Sequence, residues 1–520
     1  MKNLPISIQT FEKLRDNDCI YADKTALIYE LTHSGSVYFL SRPRRFGKSL
    51  LISTLDAYFS GKKELFAGLA IDKLEKEWKQ YPVIRIDFGP EDYYLEGHLE
   101  SQLDNVLAIY ESVYDIEPKN TATFAVRFGN IIRKIAAQTG QKVVVLIDEY
   151  DKPILDALYE PHKDRNHAEL RAFYSVLKSC DEYLKFIFLT GITRISQVNI
   201  FSGLNQIQDI SMNKKYAGLC GITKEELKND FADWINDLAE SNDMSEEECL
   251  AELKRMYDGY HFSKNSPDIY NPFSLLNAFA AQEFGSYWFS SATPSSLLKV
   301  LEHQDYYVDT LVENHAVLES AFDKFEPNET GFLPLMYQSG YLTIKDYEKE
   351  SKLYTLGLPN GEVKNGFYES LLPKFSDITK SDIGITAKHY RDALRECDML
   401  RLEGLIRSSI ANLPYLTDKS ICEDMYRNVL HMIFTLTGFT TNSESVSLCG
   451  RADTVVELSD KVYIFEYKML GNADPNEKAT EALAQIDEKH YADKFEIGGR
   501  QIIKVALVFD MTGLRAMRNS

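Results

Sequence analysis

Gly47, Lys48 and Ser49 end a loop whose residue types are typical of phosphate binding. An apolar stretch that predicts a strand, VYFL (37–40), precedes the loop, and a helical pattern, LISTLDAYF (51–59), follows it. Backbone N–H groups at the start of such a helix point towards phosphate oxygens. Lys48 would reach the β- and γ-phosphates of ATP, and Ser49 would bind Mg²⁺. These three residues therefore predict a nucleotide site that uses ATP and Mg²⁺.

The opening of the same loop departs from the usual pattern. Arg42 stands where a glycine normally supplies a positive φ, and Pro43 has no N–H group to donate to a phosphate. Arg42, Arg44 and Arg45 can instead add positive charge where backbone donors are missing, so all three are candidate nucleotide-binding residues. A basic loop that merely caps a helix would have the same composition. The loop taken alone leaves both interpretations open.

A second group of candidate residues comes at the end of the apolar stretch VVVLID (143–148). A parallel strand that is buried on both faces ends at the sheet edge where open α/β sheets bind their ligands. Asp148 is predicted to hold Mg²⁺ through water, and Glu149 is predicted to polarise the attacking water. Acidic residues also follow strands simply because the chain leaves the core there, so position alone does not establish a catalytic role.

A third apolar stretch, FIFLT (186–190), is followed by Thr193 and Arg194. In an ATPase, a polar residue at this strand end senses the γ-phosphate, and we expect Thr193 to contact the nucleotide. Arg194 is predicted to reach the γ-phosphate of the nucleotide bound to its own chain or to a neighbouring copy. The second case would require a homo-oligomer. Three strand-end elements in this order are harder to explain by chance than any one of them.

Near the carboxyl end, Asp453, Glu466 and Lys468 predict a second site with different chemistry. Two predicted strands, 453–458 and 461–467, form a hairpin that brings Asp453 beside the other two residues. Glu466 and Lys468 share one face because they are two positions apart. Two carboxylates suit one or two Mg²⁺ or Mn²⁺ ions, and a lysine beside them can orient or deprotonate a water. Alternating charges on a solvent-facing strand would produce the same spacing.

Glu423 adds support for a metal site. It shares a helical stripe with Tyr426, Leu430 and Phe434, and this stripe is predicted to face the sheet. A carboxylate on a core-facing stripe is costly unless it is paired or bound to a metal. Glu423 is therefore a third candidate metal ligand.

Composition limits the classes of protein that the chain can be. Its 520 residues predict two to four domains, and its net charge of −20 argues against a basic surface over the whole protein but not against a local basic cleft. Seven scattered cysteines without a CxxC pair predict a reduced compartment. The start has no apolar leader, and no apolar run reaches the ~20 residues that span a bilayer. We expect a cytoplasmic protein without a membrane span.

Three domains are predicted along the chain. Alternating strand and helix patterns over 1–220 predict a P-loop NTPase domain with a parallel sheet. Residues 221–384, called the middle region below, are predicted to form a helical or winged-helix-like connecting unit. Residues 385–520 begin with helical patterns and end in strands, which predicts another α/β domain. The fold class as a whole is therefore α/β.

The chain resembles the bacterial and archaeal AAA-ATPase-like proteins that carry a C-terminal PD-(D/E)XK nuclease-like domain. The stretches that carry the resemblance are LPISIQTFEKLRDNDCIYADKT (4–25), RPRRFGKSLL (42–51), VVVLIDEYDKPI (143–154) and LTGITRIS (189–196). YDGYHFS (257–263) and YQSGYLTI (337–344) look like the middle region of the family. Its loop is typically written RPRRFGKS, so Arg42 and Pro43 are a family feature.

The resemblance also implies roles at the carboxyl end. It implies a restriction-endonuclease-like fold for 385–520 and a D…ExK site made of Asp453, Glu466 and Lys468. In related domains a helix glutamate such as Glu423 completes the metal site, and Gln485 matches a family glutamine that positions water or phosphate.

These observations predict an ATP-binding and ATP-hydrolysing protein that is fused to a metal-dependent nuclease. The substrate is expected to be nucleic acid, DNA rather than RNA. Two alternatives stay open. One is a nucleotide-dependent switch or nucleic-acid-binding scaffold whose nuclease fold is inactive, and the other is an ATPase that acts on protein partners.

Overall fold

The computed structural model describes most of the chain, in the ranges 1–117, 122–194, 206–292, 315–322, 333–411, 419–447, 450–496 and 499–520. The chain divides into two compact units. The first contains residues 1–305 and 313–363, and the second contains residues 306–312 and 364–520. This division is coarser than the three predicted domains.

The first unit is built on a five-stranded sheet with the strand order β2-β3-β4-β1-β5. Its strands are β1 (Val37–Ser41), β2 (Val83–Asp87), β3 (Val143–Asp148), β4 (Leu184–Gly191) and β5 (Gln208–Asp209). All neighbouring strands are parallel, so their carboxyl ends meet at one edge. The predicted parallel α/β sheet is confirmed. Every residue of β1 and β3 is buried, which explains their uninterrupted apolar sequences.

Eight helices of the described part of the chain accompany this sheet. They are α1 (Phe11–Asp16), α2 (Thr25–Ser34), α3 (Lys48–Phe59), α4 (Ala70–Leu74), α5 (His98–Val113), α6 (Phe124–Thr139), α7 (Lys152–Leu155) and α8 (Lys163–Ser179). Helix α3 buries Leu51, Leu55 and Phe59, as their four-residue spacing predicts. This packing fixes the helix directly behind the loop that contains Gly47.

The middle region is mostly helical. Its helices within the described ranges are α9 (Lys224–Asp230), α10 (Ala232–Ser241), α11 (Glu246–Tyr257), α12 (Pro272–Ala281), α13 (Tyr287–Ala292), α14 (Leu333–Ser339) and α15 (Gly361–Phe375). Reciprocal hydrogen bonds between the N-cap and the third helical residue define where α9 and α11 begin. The chain passes from the first unit to the second inside α15.

Two small antiparallel sheets accompany these helices. One pairs β6 (Ile222–Thr223) with β7 (Ile269–Tyr270). The other has the order β8-β10-β9 and contains β8 (His315–Leu318), β9 (Thr343–Glu348) and β10 (Leu353–Gly357). Both belong to the first unit.

The second unit has a mixed five-stranded sheet with the order β11-β12-β13-β14-β15. The strands are β11 (Thr440–Ser447), β12 (Gly450–Glu457), β13 (Lys461–Met469), β14 (Gln501–Asp510) and β15 (Gly513–Asn519). Only the pairing between β13 and β14 is parallel. The predicted α/β fold is confirmed, although the sequence patterns did not predict β11 and β15.

The described helices of the second unit are α16 (Ile383–Glu396), α17 (Met399–Ile410), α18 (Lys419–Leu436), α19 (Pro475–Glu488) and α20 (Asp493–Glu496). The helical pattern at the start of this unit forms two helices and not one, because the helix breaks between α16 and α17. Cys397 takes a left-handed φ of 54° and ends α16, and the Asp398 side chain accepts the Arg401 N–H to start α17.

Candidate functional site

The loop between β1 and α3 turns at different residues from those that the usual pattern would use. Arg45 has a φ of 66° and Gly47 a φ of 89°, whereas Arg42 keeps a negative φ. A left-handed arginine is strained, and such strain persists only where the surrounding structure holds it. The turn is therefore made three positions later than a glycine at position 42 would make it.

Lys48 starts α3 with its side chain turned back over the loop. Its Nζ donates to the carbonyl oxygens of Arg42 and Pro43, each at 3.0 Å. Burial lowers the pKa of Lys48, while the negative charges of Glu149 and Asp148 oppose that change. In the described part of the chain, the ammonium therefore donates to neutral carbonyl oxygens, which are weaker acceptors than charged phosphate oxygens.

Asp148 ends β3 in a buried position. Its Oδ1 accepts the Glu149 N–H at 3.0 Å, and its Oδ2 is buried without a hydrogen-bond partner among the described residues. Burial raises the pKa of Asp148 to about 6, although the Ser49 hydroxyl and the Lys48 ammonium oppose that rise. An unsatisfied carboxylate oxygen beside a hydroxyl fits a hydrated Mg²⁺.

A cavity of about 420 Å³ opens in front of the loop. Its lining includes the charged side chains of Arg44, Arg45, Lys48, Glu149 and Lys152, together with Ser49. This volume is within the ordinary range for small-molecule sites. A smaller apolar pocket, lined in part by Tyr21, Phe46, Leu219 and Phe231, also borders Gly47. A charged cavity next to an apolar one suits a molecule with phosphates at one end and a planar base at the other.

Arg42 is the predicted nucleotide-binding residue that the structure turns away from this cavity. Its guanidinium is buried and donates to the carbonyl oxygens of Ser41 and Ser211 at 2.8 Å and of Tyr216 at 3.2 Å. The guanidinium carbon also lies 4.1 Å from the centre of the Phe262 ring. Arg42 therefore holds the start of the loop, and it does not line the charged cavity.

We predict that Arg42→Met destabilises the first unit by about 3 kcal/mol, because three buried carbonyl groups lose a charged donor. The measurement is urea unfolding followed by circular dichroism. Arg45→Met is the matched control, because Arg45 is exposed and its loss should change the unfolding free energy by less than about 1 kcal/mol. Equal stability of the two variants would contradict this role.

Thr193 and Arg194 are also bound elsewhere. The backbone N–H and Oγ1 of Thr193 donate to Asp151 Oδ2, both at 2.6 Å. Arg194 forms an ion pair with Asp209 at 2.6 Å and donates to the Phe322 carbonyl at 3.1 Å. The structure does not bring either side chain to the charged cavity.

Two carboxylates at this edge were missed by the sequence reasoning. Asp151 is buried and accepts N–H groups from the end of β4, so it joins that strand to the segment after β3. Asp87 ends β2 in register with Asp148 and helps to raise the pKa of that residue. The signal for Asp87 was available, because VIRID ends in an acidic residue just as VVVLID does.

The second candidate site lies where β12 and β13 stop pairing. The last registered pair is Thr454 with Phe465, so Asp453 and Glu466 follow on opposite strands. Asp453 Oδ2 accepts the Tyr467 N–H at 2.8 Å, which replaces a backbone bond of the ladder. The hairpin thus places both carboxylates at one end of the sheet.

Glu466 is the buried centre of this site. Its Oε1 accepts hydrogen bonds from Lys468 Nζ at 3.0 Å and from Gln485 Nε2. Its Oε2 is buried and has no hydrogen-bond partner among the described residues. Burial raises the pKa of Glu466 to about 7, the charge of Asp453 adds to that rise, and Lys468 opposes it. These contacts bring Lys468 and Gln485 to the predicted carboxylate.

Glu423 and Arg427 come from α18 and face the same site. Burial raises the pKa of Glu423 and the charge of Asp453 adds to it, whereas Lys468 and Arg427 oppose the rise. Arg427 Nη1 lies 3.9 Å from Asp453 Oδ1. Sequence reasoning missed Arg427, which was detectable as the residue one helical turn after Glu423.

The side chains at this second site are of the type that binds a hard divalent cation. Carboxylate oxygens of Asp453, Glu466 and Glu423 would be its ligands, and Glu466 Oε2 is available for one bond. Over the described ranges, however, no three His, Cys, Asp or Glu side chains are already close enough together to hold an ion. Binding would therefore require the carboxylates to draw together.

Two regions of the chain match known protein families. Residues 5–201 match the family described as "Predicted AAA-ATPase", and residues 421–518 match the "PD-(D/E)XK nuclease superfamily". Together these matches define the class, an ATPase-like domain followed by a nuclease-superfamily domain. Within the described segments, no helix is long and apolar enough to cross a membrane.

A relative from Azotobacter chroococcum mcd 1, titled "Uncharacterized protein in vnfD 5'region", is 36% identical over 516 residues. The aligned region covers 98% of this chain and 96% of that protein. The chain therefore belongs to the family of AAA-ATPase-like proteins with a carboxyl-terminal PD-(D/E)XK nuclease superfamily domain.

Solved structures give weaker matches. The Aeropyrum pernix ORC1 protein in complex with DNA has a TM-score of 0.24 and 9% identity, and covers 66% of this chain and 90% of its own. Cdc6p from Pyrobaculum aerophilum has a TM-score of 0.23 and 8% identity, and the match covers 65% of this chain and 88% of Cdc6p. Scores this low support no inference about function.

Proposed function

We propose that the protein binds and hydrolyses ATP at the β1–α3 loop and cuts nucleic-acid phosphodiester bonds at the Glu466 site. One observation supports both halves. At each site a lysine is associated with a buried carboxylate that has one oxygen without a hydrogen-bond partner among the described residues. Lysine beside an unsatisfied carboxylate suits a phosphate group and its divalent cation.

At the first site, Lys48 would exchange its two loop carbonyls for β- and γ-phosphate oxygens. Ser49 and Asp148 would hold Mg²⁺, which supplies charge neutralisation of the phosphates. Glu149 lines the cavity and would polarise a water. Arg44 and Arg45 would add positive charge at the cavity wall.

At the second site, Asp453, Glu466 and Glu423 would bind Mg²⁺ or Mn²⁺, which supplies Lewis-acid activation of a water and of the scissile phosphate. Lys468 donates to Glu466 and would orient that water. Gln485 keeps the Glu466 carboxylate in place from α19. DNA is the substrate that we propose, with RNA as the alternative that the assay must separate.

The proposal is tested with the purified full-length chain. The first measurement is the equilibrium binding of ATP in the presence of Mg²⁺. The second is the cleavage of plasmid DNA, single-stranded DNA and RNA in the presence of Mg²⁺, Mn²⁺ or EDTA. ATP binding and EDTA-sensitive DNA cleavage are expected. ATP binding without any cleavage would support the nucleotide-dependent switch or scaffold, and ATP turnover stimulated only by protein would support an ATPase that acts on protein partners.

We predict that metal-dependent cleavage at limiting Mg²⁺ rises between pH 6 and pH 8 with a midpoint near 7. Protons and metal compete for Glu466, whose pKa burial raises to about 7, so the protonated carboxyl below that pH binds metal poorly. The measurement is the initial cleavage rate against pH. Saturating Mg²⁺ should move the midpoint to lower pH, and a rate independent of pH at limiting metal would contradict the prediction.

A further inference from the structure

The RPRRF segment (42–46) of the loop is held from outside by the middle region. The Phe46 ring makes edge contacts with the rings of Tyr260 at 4.7 Å and Phe262 at 5.6 Å between centroids. The Phe46 carbonyl accepts the Gly221 N–H at 3.1 Å. These contacts fix the end of the segment just before Gly47.

Pro43 is held in a similar way. A Cβ atom at Gly340 would lie 2.7 Å from Pro43 Cβ, and Gly340 has a φ of 92°, so only glycine allows this close approach. The loop is thus shaped by contacts with residues far along the chain as well as by its own turn residues.

Trp288 forms a hydrogen bond with the centre of the segment. Its indole Nε1 donates to the Arg44 carbonyl at 2.9 Å, and its side chain is completely buried. The bonded carbonyl belongs to the peptide that leads into Arg45, the residue with the strained φ of 66°. A rigid buried donor at this peptide supplies the external support that a left-handed arginine requires.

Glu362 fixes Trp288 in turn. Its Oε1 accepts the Trp288 N–H, and its Oε2 accepts the Ser274 hydroxyl, each at 2.6 Å. The Glu362 side chain is fully buried, and burial raises the pKa of this carboxyl to about 7, whereas the bonds from Ser274 and Trp288 oppose that rise. Ser274 lies in α12, where its neighbour Phe273 lines the charged cavity and stacks under Arg45 at 5.0 Å. Glu362 therefore ties α12, α13 and α15 to the loop.

We propose that Trp288, held by Glu362, is a positioning residue of the phosphate-binding loop and sets its affinity for the triphosphate. This inference rests on the proposed ATP binding. The middle region supplies the support that the usual loop obtains from its first glycine, and Arg44 and Arg45 are brought to the cavity as a result. Trp288 touches the loop backbone and does not line the charged cavity.

The test uses Trp288→Phe in the full-length chain, which keeps an aromatic ring and removes the N–H donor. Affinity for ATP is expected to fall about three- to tenfold, as the loss of one buried hydrogen bond implies. Affinity for AMP should change less, because AMP lacks the β- and γ-phosphates that the loop binds. A general packing defect would weaken both nucleotides equally and would overturn the proposal.

Trp78→Phe is the matched control, because the Trp78 indole N–H has no hydrogen-bond partner among the described residues. It should bind ATP like the wild type. A wild-type chain that fails to bind ATP would refute the proposed function itself. A wild type and a Trp288→Phe variant that bind ATP equally well would refute only the positioning role.

Fluorescence provides a second measurement. The chain has three tryptophans, so a Trp78→Phe, Trp234→Phe variant leaves Trp288 alone. Saturating ATP with Mg²⁺ should change the Trp288 emission, because phosphate binding at the loop alters the peptide to which the indole is bonded. An unchanged emission while ATP binds with wild-type affinity would overturn the inference.

Discussion

Lys48→Ala is expected to lower the affinity for ATP by at least about a hundredfold. The Lys48 ammonium is buried beside the charged cavity, and its hydrogen bonds within the described residues go to two loop carbonyls, so a triphosphate would gain charge-assisted bonds that alanine cannot make. Calorimetric titration with ATP and Mg²⁺ measures the change. The fold should survive, because removal of a desolvated ammonium also removes its burial cost.

Lys152→Met is the matched control for this variant. Lys152 lines the same cavity, but its ammonium donates to Asp156 and to the Glu91 carbonyl, so it is not free to turn to a phosphate. We expect its loss to change ATP affinity less than about threefold. If Lys48→Ala binds ATP like the wild type, the nucleotide site has been assigned to the wrong loop.

The same variant tests whether the two sites communicate. Both sites occupy one chain, and Glu362 lies in the first turn of α15, inside which the chain passes into the second unit. We therefore expect ATP to change the cleavage rate of the wild type but not that of Lys48→Ala. A variant that has lost ATP binding and yet keeps the wild-type cleavage rate and ATP response would disprove this coupling.

Asp453→Asn is expected to reduce metal-dependent cleavage on the order of a thousandfold. The amide still accepts the Tyr467 N–H, so the end of the hairpin keeps its geometry, but one negative charge is removed from the metal site. Loss of a ligand charge weakens metal binding and the activation of the water. The measurement is the cleavage of plasmid and single-stranded substrates over a range of Mg²⁺ and Mn²⁺ concentrations.

Glu457→Gln on the same strand is the control for Asp453→Asn. Its carboxylate is bound to Arg500 at 3.0 Å and to Asn442 at 3.3 Å, so it should not contribute to metal binding. It is expected to cut at close to the wild-type rate. Undiminished cutting by Asp453→Asn would remove the basis for the nuclease assignment.

Much of the architecture was predictable because it depends on local sequence. Short runs of β-branched and aromatic residues predicted β1, β3 and β4 of the first sheet, since a buried parallel strand requires apolar side chains on both faces. The spacing between Asp453 and Glu466 predicted their approach, because a hairpin joins neighbouring segments and its period of two fixes which side chains share a face.

The elements that were missed carry weaker local signals. Strand β11 (Thr440–Ser447) is rich in Ser, Thr and Asn, and β15 (Gly513–Asn519) has two arginines among only three apolar side chains at a sheet edge. Neither segment has a continuous apolar run or a strict apolar and polar alternation, so neither stands out in the sequence. Their pairing with a buried neighbour decides their structure.

The sequence by itself determined that Gly47, Lys48 and Ser49 follow a buried strand and open a helix, and that two carboxylates meet at the end of a hairpin. Tertiary structure alone decided what the arginines do. Trp288 bonds to the Arg44 carbonyl across 244 positions, and Arg42 bonds to the carbonyl groups of Ser211 and Tyr216, which lie 169 and 174 positions further along the chain. Hydrogen bonds at such separations depend on how whole elements pack, and no local residue pattern encodes that packing.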